Sequence, residues 1–239
     1  MKVVYCVKAG THLDLVYQDI APPSSPGPGE IQVSIDARGI QFSDLVRFAG
    51  EYQDNAGYPF VVGGEGGGTV VAAGSGVTQV EPGDKVLVPA GCVEIVNVSE
   101  KAATRVPDGV DLKVASSFRN NYLTALDGLT RAGLQPGETL LVHGAAGGVG
   151  LAAVDVGKLM GASVIGTASS DEKLAVVKQM GADQVINYNN GFREQVKQLT
   201  SGLGADVIYD PVGGDVFDES VRSIAPFGRI LIVGFTGGR

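Results

Sequence analysis

Metal-ligating side chains are scarce in this chain. Its 239 residues hold two histidines, His12 and His143, and two cysteines, Cys6 and Cys92. Zinc is held by clustered Cys, His and carboxylate ligands. No such cluster can be assembled here, so the sequence implies no metal. Two cysteines far apart give no disulfide framework and fit a reducing, cytoplasmic compartment. Positive charge is also short: 18 Lys and Arg stand against 26 Asp and Glu, a formal net charge of -8. That balance argues against nucleic acid and against an anionic membrane surface as partners. No apolar run is long enough to cross a bilayer. The N-terminus lacks the basic stretch followed by an apolar one that marks a secretory signal.

What is present is apolar bulk and glycine. Hydrophobic residues make up 44% of the chain, and there are 36 glycines. The first is ample for a core in one large or two modest domains. The second suits tight turns and close backbone approaches. The pattern divides near Val106-Pro107-Asp108-Gly109. Before it, short strands are expected at Met1 to Val7, Glu30 to Ala37, Thr69 to Ala73, Lys85 to Val88 and Glu94 to Val98. Turns are expected at Gly74-Ser75-Gly76 and Glu81-Pro82-Gly83-Asp84. A glycine cluster surrounds Glu65 from Gly63 to Gly68, and Gly50 to Gly57 reads as a loop. Phe42 to Phe48 can form one or two helical turns. This half reads as a β-rich, partly open barrel.

After the divide, strands and helices alternate. Helices are expected at Asp111 to Phe118, Asn121 to Arg131, Asp171 to Met180, Phe192 to Leu199 and Val216 to Ile224. Strands are expected at Leu140 to Val142, Ser163 to Thr167, Gln184 to Ile186, Asp206 to Tyr209 and Arg229 to Val233. Such alternation predicts an α/β, doubly wound parallel sheet with helices on both faces. It has five strands where a dinucleotide-binding domain of this class has six.

The stretch that organises this half is Thr139-Leu-Leu-Val-His-Gly-Ala-Ala-Gly-Gly-Val-Gly150. Ala145, Gly147 and Gly150 fall at dinucleotide-fingerprint spacing, with Ala in the first glycine position. A short apolar run precedes them. Val149, Ala152, Val156 and Leu159 follow at helical spacing. A glycine turn between a strand and a helix lets a pyrophosphate approach the backbone at Gly147. The helix N-terminus supplies N–H groups and partial positive charge. An NAD site would put an acid at the end of the second strand, to bind the ribose hydroxyls. Here that strand ends in Ala168-Ser169-Ser170. Ser169 with Glu172 fits a capping box, and Asp171 and Glu172 suit a helix's first turn. Small hydroxyls with Lys173 suit a 2′-phosphate, so NADPH is expected over NADH.

Taken together, Val142 to Gly150, Ala168 to Lys173, Val185-Ile186-Asn187-Tyr188, Tyr209 to Gly214 and Val233-Gly234-Phe235 resemble the zinc-free NADPH:quinone oxidoreductases. These are the zeta-crystallin-like branch of the medium-chain dehydrogenase/reductases. Pro82-Gly83-Asp84-Lys85-Val86 and Gly39 to Tyr52 extend the likeness over essentially the whole chain. The resemblance implies a GroES-like domain over residues 1–118, an NADPH-binding Rossmann domain over 119–239, and a site in the cleft between them. It implies that Gly147, Gly148 and Val149 contact the pyrophosphate. Ser169, Ser170, Lys173 and Tyr188 would surround the 2′-phosphate, Thr124 would lie near the nicotinamide, and Gly234 and Phe235 would line the cofactor cleft. Gln41 stands where the family commonly has Asn, and Tyr52 is retained; these two are the candidate catalytic residues. Zinc alcohol dehydrogenases of the same superfamily carry a Gly-His-Glu motif, and here Gly64 replaces its His in Gly63-Gly64-Glu65.

The implied activity is metal-free hydride transfer from NADPH to a quinone or an α,β-unsaturated carbonyl, with Tyr52 as proton donor or positioner and His143 structural. Family members continue past the fifth strand into a sixth that often pairs across a dimer, whereas this sequence stops at Gly237-Gly238-Arg239. It therefore reads as a C-terminally shortened member that allows a homodimer. The alternative is a non-catalytic NADPH-binding module or a truncated inactive relative.

Overall fold

The computed structural model describes residues 1–53 and 57–238. Contacts divide the chain into two compact units, Met1–Arg119 and Asn120–Arg239. The loop expected at Gly50 to Gly57 falls partly outside the described residues.

The first unit is built from short antiparallel strands. They are β1 (Lys2–Cys6), β2 (Val16–Asp19), β3 (Glu30–Gly39), β4 (Phe60–Val61), β5 (Glu65–Ala73), β6 (Lys85–Val88), β7 (Ile95–Ser99) and β8 (Thr104–Arg105). They form a three-stranded sheet in the order β2-β1-β4 and a five-stranded sheet in the order β7-β3-β5-β6-β8. The alternation in β3 does what a half-buried strand requires: Ile31, Val33 and Ile35 are buried, with Gln32 and Ser34 between them. They pack with Val3, Val70, Val86 and Val88 into one core. Burying each such side chain stabilises the unit by roughly 1.5–3 kcal/mol. A helix, α1 (Phe42–Phe48), follows β3, and a single turn, α2 (Leu112–Ala115), follows β8.

One expectation needs correction here. Gly66, Gly67 and Gly68 belong to β5, which begins at Glu65 rather than at Thr69. Glycine is depleted in strands, so the cluster reads as a turn. The reason it sits in a strand is close backbone approach. A Cβ on Gly68 would lie 2.1 Å from the Ser34 carbonyl oxygen, and one on Gly67 would lie 3.0 Å from that of Leu112.

The second unit alternates as expected. Its elements are α3 (Phe118–Arg131), β9 (Thr139–Val142), α4 (Gly148–Leu159), β10 (Ser163–Ala168), α5 (Asp171–Gln179), β11 (Gln184–Asn187), α6 (Arg193–Leu199), β12 (Ala205–Asp210), α7 (Asp215–Val221) and β13 (Ile224–Ile232). The five strands pair in parallel in the order β11-β10-β9-β12-β13. This is the Rossmann pattern, with the chain reversing direction across the sheet beside β9. Successive residues of β9 feed opposite faces. Leu140 and Val142 join one core with Ala153, Val156 and Val164, and Leu141 joins the other with Ile165, Ile186 and Ile208. That is why Leu140-Leu141-Val142 is apolar throughout.

The last strand starts at Ile224, earlier than the expected Arg229. Pro226 and Gly228 read as breakers, but a register irregularity between Ala205 and Val207 absorbs the extra residues, and Phe227 takes φ 65°. Pro226 is tolerated because β13 is an edge strand. Among the described residues, no helix is long and apolar enough to cross a membrane.

Candidate functional site

The glycine turn forms as its spacing requires. The N–H of Ala145 donates to the Thr167 carbonyl at 2.9 Å, and that of Gly147 to the Gly144 carbonyl at 2.9 Å. Gly147 is the extended N-cap of α4 and has no side chain to cap it. The first bond of the helix runs from the Leu151 N–H to the Gly147 carbonyl at 2.8 Å. The amides of Gly148, Val149 and Gly150 stand ahead of that bond, at the positive end of the helix dipole. Gly147 and Gly148 are exposed, Val149 is half-buried and Gly150 is buried. A Cβ on Gly147 would meet only the Gly144 carbonyl, at 3.3 Å. One on Gly150 would lie 2.4 Å from that oxygen and 2.7 Å from the Ala145 Cα. The turn is thus open where an anion would approach and closed where helix and strand pack.

Helix α3 is tied to this turn. The Tyr122 hydroxyl donates to Asp155 Oδ2 at 2.8 Å. Burial and that carboxylate push the phenol up to about 12. The Asn121 carboxamide lies against Gly148, so close that a Cβ there would be 2.7 Å from Nδ2. Thr124, one turn on, is exposed and donates its hydroxyl to the Asn120 carbonyl at 2.6 Å.

At the end of β10, Lys173 Nζ donates to Ser169 Oγ at 3.2 Å. Two of the four residues singled out for a 2′-phosphate therefore meet across the start of α5. The cap is displaced by one residue from the expected Ser169 and Glu172. Ser170 is the N-cap, and its hydroxyl accepts from the Lys173 N–H at 3.4 Å. Ser169 lies in the bend between the end of β10 and that cap, and its hydroxyl accepts from Lys173. Tyr188 follows β11 directly and is half-buried against the core that holds Leu141, Ile165 and Ile186. Two neighbours escaped the sequence reading. Asn187 Nδ2 donates to Asp171 Oδ1 at 3.2 Å, and Asn189 Nδ2 donates to the Ser169 carbonyl at 2.8 Å. The one local signal was the Asn-x-Asn pattern, which forms an Asx turn from the Asn189 N–H to Asn187 Oδ1 at 3.2 Å.

The end of β12 is held by Asp210. Its Oδ1 accepts from the N–H groups of Val212 and Gly213 at 2.8 and 3.0 Å. Gly234 and Phe235 follow β13 and lie beside this loop. A Cβ on Gly234 would be 3.0 Å from the Pro211 carbonyl, and the Gly237 N–H donates to the Val212 carbonyl at 2.7 Å. Phe235 is exposed.

His143 is fully buried at the end of β9. Nδ1 lies 3.0 Å from Thr167 Oγ1 and Nε2 lies 2.8 Å from Ser220 Oγ. The Ser220 hydroxyl donates to the Val216 carbonyl at 2.7 Å. It therefore accepts from Nε2–H, and Nδ1 accepts from Thr167. Burial lowers the imidazole to about 4, against the raising effects of Asp210 and Glu219. The folded group then binds a proton less readily than the unfolded one. Stability is fully present above the unfolded value of about 6.5 and is lost as pH falls toward 4, by up to about 1.4 kcal/mol per unit. Urea unfolding at pH 7 and pH 5 should show this loss, and His143→Asn should shrink it. An equal loss in the variant would refute the assignment.

In the first unit, Gln41 is the N-cap of α1. Its backbone N–H donates to Asp44 Oδ2 at 2.8 Å, and its side-chain Nε2 donates to Glu65 Oε1. Asp44 and Glu65 are both buried. Burial raises the Asp44 carboxyl, opposed by the Gln41 N–H and by Arg47. Sequence reading passed over Glu65 as part of a glycine cluster. Tyr52 is exposed, with the Arg47 guanidinium 4.8 Å from its ring centre, a cation–π geometry. Among the described residues, no group of three or more His, Cys, Asp and Glu could hold a metal ion.

Comparison with known proteins gives these arrangements a context. A family model described as alcohol dehydrogenase GroES-like domain matches residues 27–119, and one described as zinc-binding dehydrogenase matches residues 148–239. A quinone oxidoreductase-like protein 2 homolog of Nematostella vectensis is 39% identical over 99% of this chain and 66% of its own length. The quinone oxidoreductase of Pseudomonas aeruginosa is 37% identical over 94% of this chain and 70% of its own. The crystal structure of Escherichia coli quinone oxidoreductase complexed with NADPH has a TM-score of 0.86 and 31% identity. It covers 96% of this chain, which covers 72% of it. The chain thus spans about two thirds of the length of such relatives.

Proposed function

The chain belongs to the quinone oxidoreductase family of the medium-chain dehydrogenase/reductases, and from that premise we propose that it binds NADPH and passes hydride to a quinone or an α,β-unsaturated carbonyl without a metal. One observation carries the reading. The open glycine turn at the head of α4 is followed, at the next strand end, by the Lys173–Ser169 pair where an NAD site would hold an acid.

The residues present fit such a cofactor. Gly147 leaves room for a pyrophosphate against the exposed amides at the head of α4, where Gly148 and Val149 follow. Ser169, Ser170, Lys173 and Tyr188 would hold the 2′-phosphate, with Thr124 toward the nicotinamide and Gly234 and Phe235 along the cofactor. The cofactor supplies the hydride; the protein orients it and excludes water. An acceptor already polarised by conjugation needs no Lewis acid, which suits a chain with so few ligating side chains. Gln41, whose Nε2 donates to Glu65, is with Tyr52 a candidate catalytic residue in this reading. Tyr52 donates or positions the proton that must follow the hydride. A soluble cytoplasmic protein, able to form a homodimer, is the setting this reading favours.

The test is a steady-state assay of NADPH oxidation with a simple quinone and with an enone, on this chain and on Tyr52→Phe. A proton-donating Tyr52 predicts a fall in kcat of about 10²-fold or more with little change in NADPH affinity. An unchanged kcat would make Tyr52 part of the wall. NADPH binding without turnover of either acceptor would favour the binding-module alternative.

A further inference from the structure

Cofactor choice in a site of this kind is a matter of local charge, and two acids between Ser169 and Lys173, Asp171 and Glu172, have the wrong sign. The Glu172 carboxylate is held by its own N–H and by the Ser170 hydroxyl, which leaves Asp171. Asp171 is the first residue of α5, exposed and two positions before Lys173. At the head of a helix its carboxylate is favourable to the dipole. Beside a 2′-phosphate the same carboxylate is repulsive, and within one helical turn it lies well inside the screening length of roughly 8 Å. In the structure this carboxylate is not left to wander. Asn187 Nδ2 donates to Asp171 Oδ1 at 3.2 Å. Asn187 closes β11, so the bond fastens the head of α5 to the end of the neighbouring strand. The same asparagine is itself fixed, because its Oδ1 accepts the Asn189 N–H. Asn189 in turn donates its side-chain amide to the Ser169 carbonyl. Tyr188 lies between the two asparagines. One short turn therefore fixes the orientation of Asp171 and the backbone of Ser169, while Lys173 is paired with the Ser169 hydroxyl.

We propose that Asn187 is a positioning residue for NADPH selectivity: it anchors the Asp171 carboxylate at the end of β11, so that this acid does not compete with the 2′-phosphate for Lys173 and Ser169. An amide suits this task. It donates to the carboxylate without adding a charge that would attract or repel the cofactor. The proposal rests on the NADPH reading above.

The experiment measures dissociation constants for NADPH and NADH by fluorescence titration of the whole chain, with thermal unfolding alongside. The ratio of the two constants is the readout, because a merely structural defect weakens both cofactors alike. Asn187→Ala is expected to lower the preference for NADPH about five- to tenfold, the scale of one exposed charge released near a dianion. Asp171→Asn is expected to change the ratio less than about twofold alone, yet to restore it in the Asn187→Ala background, a coupling that independent sites would not show. An unchanged ratio in Asn187→Ala overturns the proposal. So does an Asp171→Asn single variant that by itself raises the preference about fivefold or more, because an anchored carboxylate would leave little to relieve; that result is readable even if Asn187→Ala does not fold. A wild-type chain that binds NADH as well as NADPH fails at the earlier step and removes the cofactor reading along with the proposal. A wild type that prefers NADPH, with variants that do not shift, removes the proposal alone.

Discussion

Gly150→Val is expected to abolish NADPH binding and to lower the melting temperature by roughly 10 °C, whereas Gly147→Ala is expected to lose affinity with the melting temperature nearly kept. The two glycines belong to one motif but meet different surroundings. At Gly150 the first added carbon would lie 2.4 Å from the Gly144 carbonyl oxygen and 2.7 Å from the Ala145 Cα. Both obstacles are backbone, and neither can rotate away. The head of α4 would have to lift from the end of β9, disturbing the packing of Ala152 and Ala153 in the core they share with Leu140 and Val142. Overpacking of this kind costs about 1–3 kcal/mol or more. At Gly147 the added carbon meets one oxygen at 3.3 Å, which a shift of a few tenths of an ångström relieves. What the new methyl would occupy is the space a phosphate needs against the α4 amides. Affinity should fall at least tenfold, because charge-assisted bonds to the helix head lengthen. Titration and thermal unfolding of both variants separate the cases. Equal stability losses would mean that Gly147 also serves helix–strand packing, and the phosphate reading of the turn would lose its support.

These two positions also show what a sequence discloses and what it withholds. The strand, turn and helix around Gly147 were legible because they are local. A three-residue apolar run, small residues at fixed spacing and a helical repeat lie within about 20 consecutive positions. The parallel sheet was legible for the same reason, since each βα unit announces itself separately. Gly66 to Gly68 were misread because the causes of those glycines lie far off in the sequence, Ser34 on the neighbouring β3 against Gly68 and Leu112 of α2 against Gly67. Nothing within the cluster records that the Ser34 carbonyl will lie against it. The head of α5 illustrates the intermediate case. Ser169 and Lys173 are four residues apart and could be paired by helical reach. Asn187 comes 16 residues after Asp171, and only the parallel pairing of β10 with β11 brings Ala168 beside Asn187. Likewise the Arg229–Glu138 ion pair, at 2.6 Å, joins residues 91 apart. Local chemistry pointed to the glycine turn, the serines and Lys173, and the family resemblance supplied Thr124, Tyr188, Gly234 and Phe235; groups such as Asn187 come from distant segments and needed the fold.

Lys173→Glu is expected to weaken NADPH binding on the order of a hundredfold and NADH binding less than about threefold, with Lys173→Ala falling between. The 2′-phosphate is the part of NADPH that NADH lacks, and it carries close to two negative charges at neutral pH. Lys173 lies on the first turn of α5 with its ammonium 3.2 Å from the Ser169 hydroxyl. The ammonium is therefore preplaced beside a group that can donate its own proton to the same phosphate. Alanine removes the attraction and leaves the serines; glutamate replaces it with repulsion at the same reach. Because Lys173 is exposed, salt screens the effect, and the gap between wild type and Lys173→Glu should narrow between low and 0.5 M ionic strength. No such narrowing is expected for NADH. Thermal stability should change little, since the side chain bonds to a single hydroxyl at the surface. If Lys173→Glu weakened both cofactors equally, the lysine would be acting on the common pyrophosphate or on the fold. If it weakened neither, the 2′-phosphate would bind elsewhere, and the serine-lysine pair would be an ordinary surface contact at the head of a helix.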